Sequence, residues 1–156
     1  MSSPTSTGDA PTVRYHLGKR FTTDSYTLTD AEIRAFASQY DPQALHLDDA
    51  LAEASPFGGI IASGWHTAAI TMRLLVTGGV FRAKRAVGAG VSLQWQRPAR
   101  VGDVLTATAE VTDISPSRLK ADQCMVTLRV YTLNQRQEVV QSMDAKLSTS
   151  MQDVEL

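Results

Sequence analysis

The residues best placed for chemistry are a carboxylate and an imidazole five positions apart, Asp41 and His46. Pro42 stiffens the segment between them and disfavours helical geometry at Asp41, which predicts a turn between two helices. A rigid turn can aim both side chains into one cleft. There Asp41 can accept a hydrogen bond from a water molecule, and an imidazole can take or give a proton near neutral pH.

Two further expectations concern the same pair. His46 comes just before a predicted helix, whose positive N-terminal end disfavours an imidazolium, so we expect a neutral ring that can activate water. A purely structural interpretation stays open, because Asp before Pro is common in turns and Asp41 can simply brace the loop.

A second candidate feature is Ser63-Gly64, where a long apolar helix should begin. Free N–H groups at a helix start can bind developing negative charge, and a residue without a Cβ lets a substrate carbonyl approach. Such a donor contributes about 3 kcal/mol to a transition state. Ser63 can also be an N-cap and Gly64 a close-packing residue, and both interpretations can hold together.

Capping signals and periodicity predict the helices. Thr29 and Glu32 form a capping box before a helix from Asp30 to about Gln39. Asp48 should cap a short helix over residues 49–54. Residues 60–76 are apolar on nearly every side, which predicts a helix buried on all sides and ended by the glycines at 78 and 79. On that helix His66 is expected to be a core or pocket residue.

Alternating apolar residues predict a sheet in the second half of the chain. One strand is expected at 21–28, and the four alternating segments are 87–95, 105–111, 126–130 and 139–147. Their short links favour antiparallel neighbours. The expected fold class is α+β: one domain over residues 13–150, with an antiparallel sheet wrapped around a long buried helix. Residues 1–12 are predicted to be a flexible tail, and residues 151–156 a C-terminal tail.

Composition narrows the function classes. A chain of 156 residues suits one domain, and a net charge of −1 gives no strong field toward nucleic acid or membranes. The single cysteine, Cys124, is expected to be a small core residue and fits a reducing compartment. The N-terminus lacks the pattern of a secretory signal, and no apolar run approaches the ~20 residues that span a bilayer. We therefore expect a cytoplasmic protein.

Charge is unevenly distributed along the chain. Between Glu53 and Asp103 there is no acidic residue. The basic residues of this stretch are Arg73, Arg82, Lys84, Arg85, Arg97 and Arg100. This pattern fits a site for an anionic ligand such as the phosphates of coenzyme A, but it equally fits a buried apolar segment edged by solvated arginines.

Taken together, these motifs resemble the MaoC-like dehydratases, a hot-dog-fold family that includes the (R)-specific enoyl-CoA hydratases. The family pattern is Asp, any residue, Asn, Pro, an apolar residue, then His. Asp41, the apolar Leu45 and His46 match it in place, whereas Gln43 replaces the Asn and Ala44 the Pro. The pair at 63–64 matches the Ser-Gly or His-Gly at the start of the family's central helix, and residues 97–103 with the strand after them are also similar. The resemblance covers residues 21–147.

The resemblance implies a function. Asp41 and His46 would hold a water that adds in syn fashion across a trans-2-enoyl thioester, giving an (R)-3-hydroxyacyl thioester. The Gly64 N–H would form the oxyanion hole for the thioester enolate. The residues implied to bind substrate are Ser63, Trp65, Gln43 and Met72. No metal and no cofactor are implied beyond coenzyme A, or an acyl carrier, as part of the substrate, and a homodimer or dimer of dimers joined edge to edge is expected.

Two other functions remain as alternatives. A hot-dog acyl-CoA thioesterase would need a carboxylate on or near the central helix, and the sequence has none between Glu53 and Asp103. A non-catalytic acyl-CoA-binding subunit of a paired dehydratase would not need Asp41 and His46, both of which are present.

Overall fold

The computed structural model describes residues 12–83 and 85–156, so the predicted tail over residues 1–12 lies outside the described residues except for Thr12. The strands are β1 (Tyr15–His16), β2 (Arg20–Thr27), β3 (Val87–Trp95), β4 (Val104–Pro116), β5 (Gln123–Leu133), β6 (Val139–Ser150) and β7 (Val154–Glu155). The helices are α1 (Asp30–Tyr40), α2 (Ala44–Leu47), α3 (Asp49–Ala54) and α4 (Gly64–Thr77). No helix in the described parts of the chain is both long enough and apolar enough to cross a membrane.

Five strands form one antiparallel sheet in the order β2-β4-β5-β6-β3. Alternate residues of the three central strands are buried, as the period-two pattern predicts. Ile70, Leu74 and Leu75 of α4 belong to the same hydrophobic core as these strand residues. The predicted α+β class is therefore confirmed. Cys124 is buried in β5, where the sequence places it.

The helix starts follow the local sequence. The Thr29 hydroxyl accepts a hydrogen bond from the Glu32 N–H, and the Glu32 carboxylate accepts one from the Thr29 N–H, which completes the predicted capping box of α1. Asp48 caps α3, since its carboxylate accepts from the Leu51 N–H. The bounds of α3 are those predicted.

The prediction of a simple turn around His46 is wrong. Residues 44–47 form the short helix α2, and His46 lies in its last turn. The four residues after Gln43 include no glycine or proline, so the chain can close one helical turn there. His46 is thus the third residue of α2, and it precedes the predicted helix α3, which begins at Asp49, by three residues.

The long helix begins at Gly64, as the Ser63-Gly64 pair predicts, and not at the start of the apolar run at Ile60. The prediction that this helix is buried on all sides is wrong. Ser63 caps α4 by accepting from the Trp65 N–H, and the residues just before it are extended, with Ile61 bridged to Arg100. The sheet covers one side of α4 only. The side chains exposed on the other side include Trp65 (60%), Met72 (43%) and Val76 (53%).

Short links do not always join neighbouring strands here. β4 pairs with β5, and β5 pairs with β6, as their short links predict. β3, however, does not pair with β4, the strand that follows it in the chain, but with β6 at the edge of the sheet. The link from β3 to β4 contacts the segment before α4, where the Ala62 N–H donates to the Ala99 carbonyl at 2.8 Å. The eight residues of this link, 96–103, can span about 26 Å when extended, enough to pass several strands spaced about 4.8 Å apart.

The C-terminal residues are integrated into the fold rather than forming a tail beyond residue 150. A 3₁₀ turn at Met151–Asp153 leads into β7, which pairs in parallel with β1. Val154 is 4% exposed, and the Asp153 carboxylate accepts a hydrogen bond from Thr149 at 2.7 Å. Burial of an apolar side chain and strand pairing both favour order here.

Candidate active site

The carboxylate of Asp41 lies at the centre of a group of side chains from three helices. Asp41 is the C-cap of α1. Its Oδ2 accepts a hydrogen bond from Ser63 Oγ at 2.7 Å and lies 3.3 Å from His46 Nε2. Its Oδ1 accepts from Gln43 Nε2 at 2.7 Å. The structure thus brings together the two predicted reacting residues and the start of α4.

These contacts set the charge of Asp41. The hydrogen bond from Ser63, followed by that from Gln43, lowers the pKa of Asp41 below its ordinary value, although burial opposes them. Donors to a carboxylate favour its charged form because they do not bind the protonated form as well. Asp41 is therefore an anion at neutral pH and a weak base.

A backbone carbonyl determines the tautomer of His46. Nδ1 lies 2.7 Å from the Ile61 carbonyl oxygen, and the side chain is 6% exposed. Because a carbonyl oxygen only accepts, Nδ1 carries the hydrogen. In the neutral ring Nε2 then presents a lone pair beside Asp41, which also accepts only. A water molecule donating one hydrogen to each would satisfy both groups.

The start of α4 and His46 line the same cavity, of about 250 Å³. Gly64 is the first residue of the helix, so its N–H has no partner within the helix. A Cβ at this position would overlap the ring of Trp95, which also lines the cavity. Glycine is thus required by the close approach of the indole to the backbone.

The other residues predicted to bind substrate lie differently. Gln43 donates to Asp41, as described, and its exposed side chain does not line this cavity. Trp65 and Met72 do not line it either. Met72 lines a separate apolar cavity of about 270 Å³ between α4 and β3, together with Val76 and Val91.

Several cavity residues were not anticipated. Thr67 and Phe57 line it, as do the residues of the link 96–99. Sequence periodicity does not predict that these residues lie at the site, because the link reaches the cavity through its pairing with the segment before α4. The resemblance of residues 97–103 to the family was the one indication in the sequence that this link is near the site.

The basic residues of the acid-free stretch do not gather around this cavity. Among those basic residues that the structure describes, Arg97 alone lines it, and its guanidinium lies 3.1 Å from the Glu138 carboxylate. Arg85 lines another cavity beside Asp122. Glu138, in the turn before β6, therefore offsets part of a charge pattern that is one-sided in sequence.

His66 is buried next to α1, as expected for a core or pocket residue. It is 7% exposed and stacks on Phe36 with ring centroids 4.6 Å apart. Its Nδ1 has no hydrogen-bond partner among the described residues. Burial lowers the pKa of His66, against a smaller opposing effect of Glu32, so the neutral ring is favoured in the folded protein.

Comparison with known proteins gives consistent results. The family model described as MaoC like domain matches residues 13–134. The crystal structure of a MaoC-like dehydratase from Rhodospirillum rubrum is similar over 87% of this chain and 93% of that chain, with a TM-score of 0.83 and 48% identity.

Two characterised sequences are more distant relatives. The (R)-specific enoyl-CoA hydratase of Aeromonas caviae is 36% identical over 105 residues, which is 65% of this chain and 73% of that protein. The 3-hydroxybutyryl-CoA dehydratase of Methylorubrum extorquens is 32% identical over 81 residues, so the match spans 52% of this chain and 50% of that protein.

Replacing Ser63 by alanine should raise the pKa of Asp41. The substitution removes the donor with the largest stabilising effect on the carboxylate. The pKa can be followed by carboxyl ¹³C NMR titration. Ser115→Ala is a matched control, because Ser115 is exposed and donates to a different carboxylate, that of Asp113. An Asp41 pKa that is unchanged in Ser63→Ala would contradict the assigned hydrogen bond.

Replacing His66 by phenylalanine should flatten the dependence of stability on acid pH. The ordinary pKa of histidine is about 6.5, and that of folded His66 is lower. Below pH ~6.5 the unfolded chain therefore binds a proton that the folded protein resists, and the free energy of unfolding falls as pH decreases. Phenylalanine removes this effect while keeping the stack on Phe36.

Urea unfolding at pH 7.5 and 5.5 measures how much the free energy of unfolding changes between the two pH values, for the wild type and for His66→Phe. His16→Phe, at an exposed histidine, controls for loss of an ionisable ring. If both variants lose the same stability between the two pH values as the wild type, His66 is not the group responsible.

Proposed function

Because the chain belongs to the MaoC-like domain family, we propose that it is a hydro-lyase that adds water reversibly to a trans-2-enoyl-CoA, giving an (R)-3-hydroxyacyl-CoA. The hydratase and dehydratase names of its relatives support the class of reaction. The (R) configuration and the coenzyme A carrier are proposed from the Aeromonas caviae relative by its name.

One observation carries the proposal. The Asp41 carboxylate and Nε2 of His46 are 3.3 Å apart, and in the neutral ring neither can donate to the other. Two acceptors so close require a shared donor or a proton. A bound water supplies two donors, and it would lie next to the cavity that His46 shares with Gly64.

The roles of the pair follow from their surroundings. Asp41 already accepts from Ser63 and Gln43, which lower its pKa and make it the weaker base. His46 Nε2 is then the group that takes a proton from the water, while Asp41 orients the water and stabilises the imidazolium.

The proposed reaction balances without any external reactant. The water oxygen bonds to C3 as the 2,3-double bond shifts its electrons toward the thioester oxygen, and His46 Nε2 takes the proton. The Gly64 N–H stabilises the enolate oxygen at the start of α4. His46 then gives the proton to C2 on the same face, which makes the addition syn. In the reverse direction the same groups eliminate water.

Thioester hydrolysis is the second candidate. The sequence argument against it was the lack of a carboxylate near the central helix, but Asp41 lies 2.7 Å from Ser63, the cap of α4. The folded chain therefore does have a carboxylate near the central helix, and that argument does not exclude a thioesterase. Release of free thiol from a saturated acyl-CoA would identify this activity, whereas the hydratase leaves the thioester intact.

We also propose that the protein is a cytoplasmic homodimer. In the part of the chain that the structure describes, β3 has a hydrogen-bonded neighbour on one side only, β6. Exposed apolar residues lie on this edge strand and on the nearby helix face, among them Val87 (65%), Val91 (58%) and Met72 (43%). A second copy that pairs its own β3 with this one would cover both the free strand edge and the apolar surface.

Asp41→Asn and His46→Gln should each lower hydration of crotonyl-CoA by about 100-fold or more, because each removes a group that handles the water. Loss of absorbance of the conjugated thioester measures the rate. Asp113→Asn and His16→Gln, at an exposed carboxylate and an exposed imidazole, should stay within twofold of the wild type. Full activity in either site variant, or no activity over a panel of enoyl-CoAs, would refute the hydratase.

Val91→Lys should convert the dimer to a monomer, because it puts a charge on the edge strand that a second copy would cover. Light scattering coupled to gel filtration measures the mass. Leu119→Lys adds the same charge at a residue that is 95% exposed in the link between β4 and β5, and it should remain dimeric. A wild-type monomer, or a dimer that persists in Val91→Lys, would exclude this interface.

A further inference from the structure

We infer that Trp95 closes the acyl end of the reaction cavity and restricts the protein to short acyl chains. The inference deepens the proposed function and rests on it. It arises from three features of Trp95: its contact with Gly64, the hydrogen bonds that hold its ring, and its place on a strand that lines two cavities.

The first feature is the contact with the proposed oxyanion site. A Cβ built on Gly64 would overlap the six-membered ring of Trp95, with two of the ring atoms at 2.7 Å. The indole therefore lies directly against the backbone whose N–H would bind the thioester oxygen. A substrate whose oxygen occupies that position has its acyl chain next to this ring.

The second feature is that the ring is fixed. Trp95 Nε1 donates to Gln141 Oε1 at 3.0 Å, and Gln141 is fully buried. Gln141 Nε2 in turn donates to Thr71 Oγ1 at 3.3 Å. Thr71 donates to the Thr67 carbonyl at 2.9 Å and contacts the Thr132 hydroxyl at 2.6 Å. Rotating the indole away would leave a buried amide oxygen without its donor, which is costly.

A second ring supports the first. Trp65 packs its edge against Trp95 with ring centroids 5.4 Å apart, and the planes meet at 83°. This arrangement is a favourable aromatic geometry. Trp95 is thus held by a hydrogen bond at its nitrogen and by an aromatic contact with Trp65.

The third feature is the space on either side. The cavity with His46 and Gly64 holds about 250 Å³, below the roughly 300–1,000 Å³ of sites for drug-sized ligands. Farther along α4 and β3 lies the apolar cavity of about 270 Å³ that includes Met72 and Val91. Between them α4 presents only small residues at 68 and 69, both alanine. Along β3 from the first cavity to the second, the large side chains are Trp95 and then Leu93, and Trp95 is the one that lies against Gly64.

The test compares chain lengths. For the wild type, kcat/KM should fall at least tenfold from crotonyl-CoA to trans-2-octenoyl-CoA. Trp95→Ala should raise the ratio of octenoyl to crotonyl kcat/KM by about tenfold or more, because each newly buried methylene corresponds to about fourfold. Trp95→Phe keeps a ring in place and should show a ratio near that of the wild type. Tyr131→Ala, at an exposed aromatic residue that does not line either cavity, should not change the ratio.

Binding gives a readout that does not need turnover. By calorimetry the wild type should bind butyryl-CoA more tightly than octanoyl-CoA, and Trp95→Ala should remove that preference. Equal or tighter binding of octanoyl-CoA by the wild type overturns the inference even if Trp95→Ala does not fold. A preference for butyryl-CoA without hydration of any enoyl-CoA would support the Trp95 limit and reject the proposed reaction.

Discussion

The hydrogen bond from Ser63 to Asp41 joins the end of α1 to the beginning of α4, and the candidate site is arranged around it. Ser63 is fully buried and also caps α4 through the Trp65 N–H, so its position is set by the helix start. A hydrogen bond to a charged group in such a poorly hydrated place is stronger than its equivalent in water. One hydroxyl therefore fixes where the carboxylate lies and keeps it ionised. His46 and Gln43 are positioned relative to that carboxylate.

Local signals in the sequence were sufficient for much of the fold. The capping box at Thr29 and the cap at Asp48 depend on residues three positions apart, and both helices begin where these residues place them. The strands could also be predicted from the alternation of apolar and polar residues, because one face of each strand is buried. The Asp41 and His46 pair was visible since both residues lie in one short segment.

What the sequence could not show depends on contacts between distant segments. Trp95 lies against Gly64, 31 positions earlier, and nothing in the spacing of the two residues indicates it. Glu138 faces Arg97 across the sheet end, so a stretch that is wholly basic in sequence is partly neutralised in space. The outer face of α4 was predicted to be buried because its residues are apolar. Within the described residues Trp65 is still 60% exposed and Met72 43% exposed, and hydrophobicity alone does not say whether the covering surface belongs to the same chain.

Ile61 shows how such a site can change during evolution. Its carbonyl oxygen holds His46 in one tautomer, and Ile61 also lines the cavity. A main-chain carbonyl is present whichever amino acid is encoded, whereas the side chain is free to vary. Substitutions at position 61 can therefore alter the shape of the cavity while the proton on His46 Nδ1 stays where it is. At this one position, the side chain can therefore change under selection for a new substrate while the main-chain carbonyl continues to serve the reaction.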